Sequence, residues 1–400
     1  MAAGFDEAGA GRKRGGVKNV TETEEWSMKT IRIGVIGVGL IGKNHMENYS
    51  KLAGAEVVAV CDINEAEAKA VAAKYNVPHV YTDYRKMLER DDLDAVDVCL
   101  HNNYHASVSI AAMEAGKHVY CEKPIAGSYV DGKQMVERAQ ELGTMLHIQL
   151  GTLYRKETKA AKALIDGGEL GSLYHARATG FRRRNRPFVD GFGTAYFTRK
   201  ETAGGGAIFD MGVYHIAQML YLLDLPKVER ISGKTYQEMD MDAQRKAASG
   251  FDVEELGLGF VRFAGGMTLD IIEAWSVHLG GFEGGSVVGS KGGIRLPAYG
   301  PGDQRFSYYT TRCDIDLDST VDLNMMDLRW HRLRDNEDAY DSSQHHWIAA
   351  LQGRVPLLPT ADIALQTMLI SEGIYLSDSL GREVTADEVA ERSVSLSIPV

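Results

Sequence analysis

The sequence predicts an α/β protein built from two parts, and two observations support this prediction. Between Lys29 and residue 150, short β-branched apolar runs alternate with stretches of helical length, which is typical of a parallel sheet with helical crossovers. Beyond Gly151, two helical stretches are followed by several runs in which apolar and polar residues alternate. That order predicts a second part of the α+β class with a mainly antiparallel sheet.

The composition narrows the class of protein further. With 44% hydrophobic residues, 25% charged residues and a net charge of −11, the chain is typical of globular proteins and has no electrostatic support for binding nucleic acid. No apolar run reaches the length of a membrane span. The four cysteines form no C-x-x-C pair and are typical of a reducing compartment, so we predict a cytoplasmic protein. Residues 1–28 lack hydrophobic periodicity and are predicted to be a disordered tail.

The segment from Lys29 to Asp62 organises the first part. A β-branched run at 31–36 is followed by a G-x-G-x-x-G at 37–42, a helix-compatible stretch at 43–51 and a second strand-like run that ends on Asp62. Strand, glycine turn, helix, strand and acid in that order are the fingerprint of a dinucleotide-binding unit. An acid at this place accepts hydrogen bonds from the adenosine ribose and repels a 2′-phosphate, which favours NAD over NADP.

Each residue of the glycine turn has a predicted mechanical role. Gly37 allows the tight turn, Gly39 lets the backbone approach the pyrophosphate, and Gly42 permits close contact between helix and strand. Leu40 and Ile41 complete the turn at the start of the helix, whose N-terminus faces the phosphate charge. We therefore predict that these five residues bind the dinucleotide.

The remaining apolar runs and helical stretches complete the two parts. In the first part the predicted strands lie at 77–81, 94–100, 118–121 and 145–149, and the predicted helices at 65–75, 84–90, 106–115 and 129–142. In the second part the predicted helices lie at 157–166, 207–223 and 361–380, and an irregular stretch runs from 181 to 206. Its predicted strands lie at 172–180, 228–236, 256–263, 267–278, 285–289, 293–296 and 314–323. Glycine pairs at 265–266 and 292–293 predict hairpin turns.

The first candidate for chemistry is Lys123, within Glu122-Lys123-Pro124. These residues follow a predicted parallel strand, at the sheet edge where open α/β proteins bind ligands. A lysine there polarises a substrate oxygen, and its charge favours a developing alkoxide. The alternative is a surface lysine before a turn.

The second candidate follows the glycine run at 204–206. On an ideal helix Asp210 and Tyr214 lie about 40° apart, whereas His215 lies about 140° from Asp210 and points elsewhere unless the helix is distorted. An acid and a phenol on one helix face indicate a proton-handling pair. The alternatives are that Asp210 caps or pairs at the surface and that Tyr214 belongs to the core.

Three further residues are weaker candidates for substrate contact. Arg182 belongs to an arginine run at 182–186 that either binds an anionic group, such as a carboxylate or phosphate, or forms a solvated or interface loop. Arg155 lies just beyond the change of pattern near Gly151. Trp275, in a strand of the second part, either stacks on a sugar or packs in an oligomer interface.

The strand around Trp275 also predicts how the protein assembles. Alternation places Ile271, Trp275 and Val277 on one face of this strand. Helices cover one face of the predicted sheet, so the other face needs a different cover. We predict that these apolar side chains form an interface and that the protein is a dimer or tetramer through its second sheet.

A metal site is not predicted. The pair His345-His346 invites one, but a zinc site needs three or four convergent ligands, and the sequence shows no such spacing. We predict instead that this pair lies at the surface where a helix begins.

Taken together, the motifs at 37–42, 116–124 and 204–215 resemble those of the glucose–fructose oxidoreductase, inositol dehydrogenase and rhizopine-catabolism family, Gfo/Idh/MocA. The resemblance extends from Lys29 to about Arg382. It implies a Rossmann NAD-binding domain at 29–150 and a substrate-binding and oligomerisation domain with an open-faced sheet at 151–400. It also implies oxidation or reduction of sugars, cyclitols or related polyols.

The resemblance implies roles for individual residues. Lys123 matches the lysine that polarises the substrate, and Asp210 matches its partner. The residue four places later usually transfers the proton; it is most often histidine in the family and is Tyr214 here, with His215 one place late as the alternative.

The same resemblance carries the cofactor contacts and the predicted activity. Asn102, His105, Glu122 and Lys123 are predicted to contact the cofactor. The prediction is an NAD-dependent sugar or polyol dehydrogenase. The alternatives are a glycosidase that oxidises, eliminates and reduces again, and a non-catalytic NAD-bound regulator.

Overall fold

The computed structural model describes residues 29–298 and 302–399; the predicted disordered tail at 1–28 lies outside the described residues. The first sheet has six parallel strands in the order β3-β2-β1-β4-β5-β6. This is the strand order of the Rossmann fold, and it confirms the predicted first part. The strands are β1 Ile31–Ile36, β2 Ala55–Cys61, β3 His79–Tyr81, β4 Ala95–Val98, β5 His118–Cys121 and β6 Leu146–Ile148.

Five helices connect these strands: α1 Leu40–Tyr49, α2 Glu65–Tyr75, α3 Tyr84–Leu88, α4 Asn102–Glu114 and α5 Tyr129–Leu142. Local sequence fixes several of their ends. The Asn64 side chain accepts the Glu67 N–H at the start of α2, and Ser128 similarly accepts the Asp131 N–H at the start of α5. Helix α1 begins three residues earlier than predicted, directly at the glycine turn.

The second sheet has nine strands in the order β14-β13-β12-β11-β7-β10-β9-β8-β15. The central pair β7 and β10 is parallel, and the other neighbours are antiparallel, which confirms a mainly antiparallel sheet. The strands are β7 Leu173–Phe181, β8 Val228–Tyr236, β9 Leu256–Phe263, β10 Thr268–Ala274, β11 Ser286–Gly289, β12 Gly292–Arg295, β13 Ser307–Arg312, β14 Ile315–Thr320 and β15 Val384–Thr385.

Among the described residues of the second part there are eight further α-helices: α6 Lys156–Asp166, α7 Lys200–Ala203, α8 Val213–Leu222, α9 Ala243–Ser249, α10 Leu323–Leu333, α11 Ser343–Leu351, α12 Thr360–Leu380 and α13 Ala386–Arg392. A π-helical turn, Ile208–Gly212, leads directly into α8. Helices α8 and α12 pack on one face of the second sheet. Within the described ranges, no helix has both the length and the apolar character needed to cross a membrane.

The C-terminal segment returns to the first sheet. Trp347 of α11 is buried in the same core cluster as Ile31 and Ile33 of β1. Near the end of the described chain, the Ile398 N–H donates to the Asn103 carbonyl at 2.9 Å. Because these contacts tie the end of the chain to the first sheet, they help to fix the two sheets relative to each other.

Several predictions about the second part were wrong. Gly292 and Gly293 lie inside β12, and the hairpin turn falls at 290–291. Strand β13 and helix α10 were not predicted, because β13 is mostly polar and no residue of α10 is buried. His346 is completely buried, so the histidine pair is not a surface feature, although a helix does begin beside it.

The apolar interface predicted for β10 was also wrong. Ile271 and Trp275 are buried inside the chain, because this side of the strand faces the helices. Phe260 and Asp270 lie opposite each other on the uncovered face, where Asp270 also pairs with Arg177 at 2.7 Å. The uncovered face is therefore mixed apolar and charged.

Candidate active site

The glycine turn has the shape that a dinucleotide requires. A Cβ at Gly37, where φ is +88°, would lie 2.4 Å from the Cys99 carbonyl oxygen, and a Cβ at Gly42 would lie 2.0 Å from that of Gly37. Packing within the protein therefore demands glycine at both positions. A Cβ at Gly39 would meet no atom within 4 Å, and no side chain caps α1 there. The bare backbone and uncapped helix start fit a bound pyrophosphate.

The acid that ends β2 lies beside this turn. Asp62 accepts the Val38 N–H on one carboxylate oxygen and the Asn64 N–H on the other, each at 2.9 Å. Ile63, which follows it, is 94% exposed, and Leu40 and Ile41 in the turn are exposed as well. These exposed apolar side chains beside the glycine turn are suited to pack against the flat face of an adenosine. Sequence reasoning missed Ile63, whose only signal was its position after Asp62.

A buried histidine supports Glu122 from the first sheet. His45 of α1 bonds Asp97 through Nδ1 and Glu122 through Nε2, both at 2.9 Å. Burial lowers the pKa of His45, but Asp97 and Cys99 raise it, and the net pKa lies well above its ordinary value. Burial raises the pKa of Glu122, but His45 and Lys123 together lower it to a net value below the ordinary one, so Glu122 stays ionised. Sequence reasoning did not find this network, which also brings His45, Asp97 and Cys99 within the mutual distance of metal ligands.

The other predicted cofactor contacts have defined places. His105 is fully buried and its ring nitrogens face the carbonyl oxygens of Pro124, at 2.8 Å, and Leu100, at 3.0 Å. It therefore holds the Glu-Lys-Pro segment from behind. Asn102 lines the cleft next to Lys123, with its amide donating to the Ala203 carbonyl at 2.9 Å. Direct contact of either residue with a cofactor stays a prediction.

Lys123 and Asp210 meet in this cleft. The Lys123 ammonium donates to the Asp210 carboxylate and to its carbonyl oxygen, both at 3.0 Å, and lies 4.8 Å from the centre of the Tyr214 ring. Burial lowers the pKa of Lys123, but Tyr214 and Asp210 raise it to a net value well above the ordinary one. Burial raises the pKa of Asp210, but Lys123, Arg182 and the Trp275 N–H together lower it to a net value below the ordinary one. Both groups are therefore charged at neutral pH.

The cleft is lined by residues from both parts of the chain: Asn102, Lys123, Pro124, Phe197, Ala203, Gly205, Phe209, Asp210 and Trp275. The second oxygen of Asp210 accepts the Trp275 indole N–H at 2.9 Å and lies 3.4 Å from Arg182 Nη1. Trp275 is thus a partner of Asp210 inside the chain. Arg155 instead pairs with Glu157 at 3.3 Å where α6 begins, and its contact with substrate stays a prediction.

The π-helical turn changes the geometry that an ideal helix predicts. Tyr214 still faces Lys123, as expected. However, His215 and Asp210 both face the second sheet. Nδ1 of His215 bonds Glu273 of β10 at 2.8 Å, and Asp210 bonds Trp275 just beyond the same strand. The wider helical turn lets residues five apart face one strand. Glu273 was not identified from the sequence.

The start of the π-helical turn is held by Glu254, a residue that is distant in the sequence. The buried Glu254 carboxylate accepts the N–H groups of Gly206, at 2.8 Å, and Ile208, at 2.9 Å, and the Tyr375 hydroxyl at 2.8 Å. A Cβ at Gly206 would lie 2.0 Å from the Glu254 carbonyl oxygen, so glycine is needed for this approach. Glu254 therefore fixes the backbone that carries Asp210.

The two proton-transfer candidates have different surroundings. Burial raises the pKa of Tyr214, and Lys123 only partly lowers it, so the net pKa is above the ordinary tyrosine value. His215 is only 4% exposed and lines a separate cavity with Glu157, Thr179 and Gln218.

Comparisons with known proteins agree with this architecture. Residues 31–150 match the model for the oxidoreductase family with an NAD-binding Rossmann fold, and residues 158–295 match the GFO/IDH/MocA C-terminal domain. The solved structure of levoglucosan dehydrogenase in complex with NADH superposes with a TM-score of 0.74 over 89% of this chain and 99% of that chain. Its sequence identity is 20%, so this similarity shows the fold alone.

Two relatives are more similar in sequence. D-glucoside 3-dehydrogenase of Escherichia coli (strain K12) is 32% identical over 210 residues, which are 52% of this chain and 58% of that protein. Inositol 2-dehydrogenase of Salmonella typhimurium (strain LT2) is 36% identical over 154 residues, which are 37% of this chain and 46% of that protein. The matches thus span about half the length of these relatives. The two family matches together cover more than half of the chain, which belongs to the Gfo/Idh/MocA family of NAD-binding oxidoreductases.

Proposed function

We propose that this protein transfers a hydride between NAD and a carbinol or carbonyl carbon of a sugar, cyclitol or related polyol. The observation that carries this proposal is the charged contact between Lys123 and Asp210, at 3.0 Å, in a cleft at the carboxyl edge of the first sheet. That edge also holds the glycine turn, so a dinucleotide bound there reaches the same cleft. The relatives named as glucoside and inositol dehydrogenases support this substrate class.

The roles of the residues follow from their charges. When bound, the nicotinamide supplies the acceptor for the hydride of the substrate. Lys123, held charged by Asp210, donates a hydrogen bond to the reacting oxygen and stabilises its developing negative charge. In its phenolate form Tyr214, next to Lys123, accepts the hydroxyl proton in oxidation, and the resulting phenol returns it in reduction. Asp210 keeps Lys123 in place and ionised.

The adenosine end of the cofactor would lie at Asp62. This carboxylate stands beside the glycine turn and would accept hydrogen bonds from the ribose hydroxyls. The same charge would repel the 2′-phosphate of NADP. Ile63 and Leu40 would cover the apolar faces of the adenosine.

The test is a substrate screen with the purified full chain. Neutral and acidic sugars, cyclitols and glycosides are incubated with NAD⁺, while NADH and free aglycone are measured separately. NADH formation without aglycone release supports the proposed dehydrogenase. Aglycone release without net NADH would instead indicate the glycosidase. Binding of NAD⁺ without either product would indicate the regulator.

We also propose that the protein is a cytoplasmic dimer or tetramer that pairs through the uncovered face of the second sheet. Phe260 and Ile272 supply apolar area there, and Arg177 and Asp270 supply polar contacts. The compartment is suggested by the four cysteines, all of which are free. Light scattering at micromolar concentration tests the assembly: a monomer would contradict it, and Phe260→Asp should dissociate the oligomer.

A further inference from the structure

The arginine run at 182–186 divides into residues with different surroundings. Arg186 is 0% exposed, and its guanidinium bonds Asp190 and Glu255, each at 2.8 Å, and two backbone carbonyls. Arg184 pairs with Asp190 at 3.2 Å, and Arg183 is exposed. Arg182 instead lies 3.4 Å from Asp210, which lines the candidate active-site cleft. The interpretation of this run as a solvated loop therefore applies to Arg183 and Arg184 but not to Arg182.

Arg182 is held in place by the second sheet. Its N–H donates to the Ala274 carbonyl at 2.8 Å, which continues the pairing of β7 with β10. Its guanidinium lies 5.4 Å from the centre of the Phe192 ring, and its side chain is 31% exposed. The backbone pairing and the aromatic contact therefore fix the direction of the side chain toward Asp210.

The guanidinium of Arg182 has donors to spare. Within the described part of the chain, its side-chain hydrogen bond is to Asp210 at 3.4 Å, well beyond the usual 2.7–2.9 Å or so of a charged pair. The same carboxylate is already satisfied at shorter distance by Lys123, at 3.0 Å, and by Trp275, at 2.9 Å. Asp210 therefore uses one of the five N–H groups of Arg182 at most weakly.

Two cations contact the Asp210 carboxylate from different sides. Glu122 bonds His45 and Glu273 bonds His215, and within the described residues neither carboxylate forms an ion pair with the side chain of Lys123 or Arg182. Lys123 and Arg182 therefore share Asp210 as their carboxylate partner. Arg182 makes the longer of the two contacts from a half-buried position, where screening by solvent is weaker than at the surface.

We propose that Arg182 binds a carboxylate of the substrate, so that the enzyme acts on sugar acids or on acidic derivatives of cyclitols. This inference rests on the proposed function, and it names the substrate class for that site. The planar guanidinium matches a carboxylate with two parallel hydrogen bonds. Lys123 and Arg182 contact opposite oxygens of Asp210, so one small molecule reaches both with its carbinol and its carboxylate.

A carboxylate fits better than a phosphate monoester. A single guanidinium compensates a monoanion, whereas a phosphate ester carries nearly two negative charges at neutral pH. In the reaction the carboxylate itself is unchanged. The carbinol carbon loses a hydride to NAD⁺, and the hydroxyl proton passes to the enzyme.

The experiment compares matched substrates that differ by the carboxylate. Methyl glucoside is paired with methyl glucuronoside, and a neutral sugar with its uronic acid, and kcat/KM is measured by NADH formation. The wild-type enzyme should prefer the acidic member of a pair by roughly 10- to 100-fold, the usual value of a hydrogen-bonded charge. Arg182→Gln should remove most of this ratio, mainly through KM, and Arg182→Lys should restore part of it.

Arg183→Gln is the matched control, because it removes the same charge one residue away from an exposed position. It should leave the ratio of acidic to neutral substrate unchanged. The proposal is overturned if the wild type prefers the neutral members or the corresponding sugar phosphates. It is also overturned if Arg182→Gln lowers kcat/KM equally for both members of a pair, since Arg182 would then act only on Asp210.

Calorimetric binding to the NADH-bound enzyme separates this inference from the proposed function. Tighter binding of uronates than of neutral sugars, lost in Arg182→Gln, supports the role of Arg182 even without turnover. Binding without any turnover would contradict the proposed dehydrogenase. Turnover of neutral sugars with no preference for carboxylates in binding or rate would contradict the inference alone.

Discussion

Two neighbouring positions on the second sheet carry similar groups in different surroundings. Strands β7 and β10 run side by side, and Glu273 on β10 lies opposite Gly180 on β7. His215 bonds Glu273 there, at 2.8 Å, and a Cβ at Gly180 would lie 1.9 Å from the Glu273 carboxylate, so glycine makes room for the pair. Two residues farther along, Trp275 and Arg182 flank Asp210.

The difference between the two positions lies in exposure and in the nearest cation. His215 and Glu273 are sealed inside the chain, with Glu273 0% exposed. Asp210 opens to the cleft and shares Lys123 with Tyr214. Under the proposed function, an acid beside a proton-carrying side chain is not enough for a catalytic role; the pair must also reach a substrate and a charge that stabilises the reacting oxygen.

The largest expected effect on kcat comes from Lys123, the cation that lies in the cleft and not beside Glu273. Lys123→Ala should lower kcat by at least about 10³-fold, because it removes the group that stabilises the developing alkoxide. Steady-state NADH formation measures this change. In the double variant with Tyr214→Phe the losses should not add, since the two residues act as a unit. A variant that keeps a tenth of the wild-type rate would contradict the role of Lys123.

The next effect tests the proton-transfer residue of the cleft. Tyr214→Phe should lower kcat by about 10²–10⁴-fold and leave NAD⁺ affinity unchanged. Because the pKa of Tyr214 is raised, oxidation by the wild type should accelerate as the pH rises from neutral to alkaline, and the variant should lose this dependence. Tyr221→Phe, on the same helix but beside Lys162, is the control and should be near wild type. Equal rates for both variants would exclude Tyr214.

The sealed pair should contribute to stability more than to rate. His215→Asn should change kcat by less than about tenfold but lower the free energy of unfolding by roughly 3 kcal/mol, because it leaves Glu273 buried without its partner. Urea unfolding measures the loss, and kcat is compared at equal folded fraction. If His215→Asn abolishes turnover at unchanged stability, His215 is the general base and the comparison fails.

The loss of stability in this variant should depend on pH. Burial raises the pKa of Glu273 and His215 lowers it, so removing His215 raises it further. A carboxyl whose pKa is raised in the folded state contributes its full stability below the ordinary value and loses it as the pH rises through the raised one. The deficit of His215→Asn should therefore be larger at about pH 8 than at about pH 5.

The smallest expected effect concerns the cofactor preference at Asp62, which lies outside the two positions compared above. It serves as a reference for the variants at those positions. The wild type should bind NAD⁺ at least about tenfold more tightly than NADP⁺, or about 1.4 kcal/mol, and Asp62→Ser should narrow this difference. Quenching of intrinsic fluorescence measures both affinities. The kcat ratios between the Lys123, Tyr214 and His215 variants should not change in the Asp62→Ser background. Equal affinity of the wild type for both cofactors would contradict the prediction that Asp62 binds the adenosine ribose.

Some of this site was determined by the sequence itself. The turn from Gly37 to Gly42 is largely a local structure, because Gly37 has a positive φ and Gly42 approaches the Gly37 carbonyl oxygen; the approach of Gly37 to Cys99 depends on a distant strand. Lys123 was placed at the cofactor edge because the carboxyl ends of parallel strands meet there. The family motif then paired it with Asp210, and the structure joins the two at 3.0 Å.

The tertiary structure decided the rest. The ideal-helix prediction for His215 failed because a π-helical turn replaces the first helical turn, and its start is fixed by Glu254, which lies 46 residues from Ile208 along the chain. The partners Trp275 and Glu273 depend on the register of β10 against β7, which no local pattern records. Strand β14 is exposed throughout, so its sequence has no buried face from which to predict its partners. Contacts between distant residues, rather than residue types, therefore determined which acid faces the cleft and which is sealed in the core.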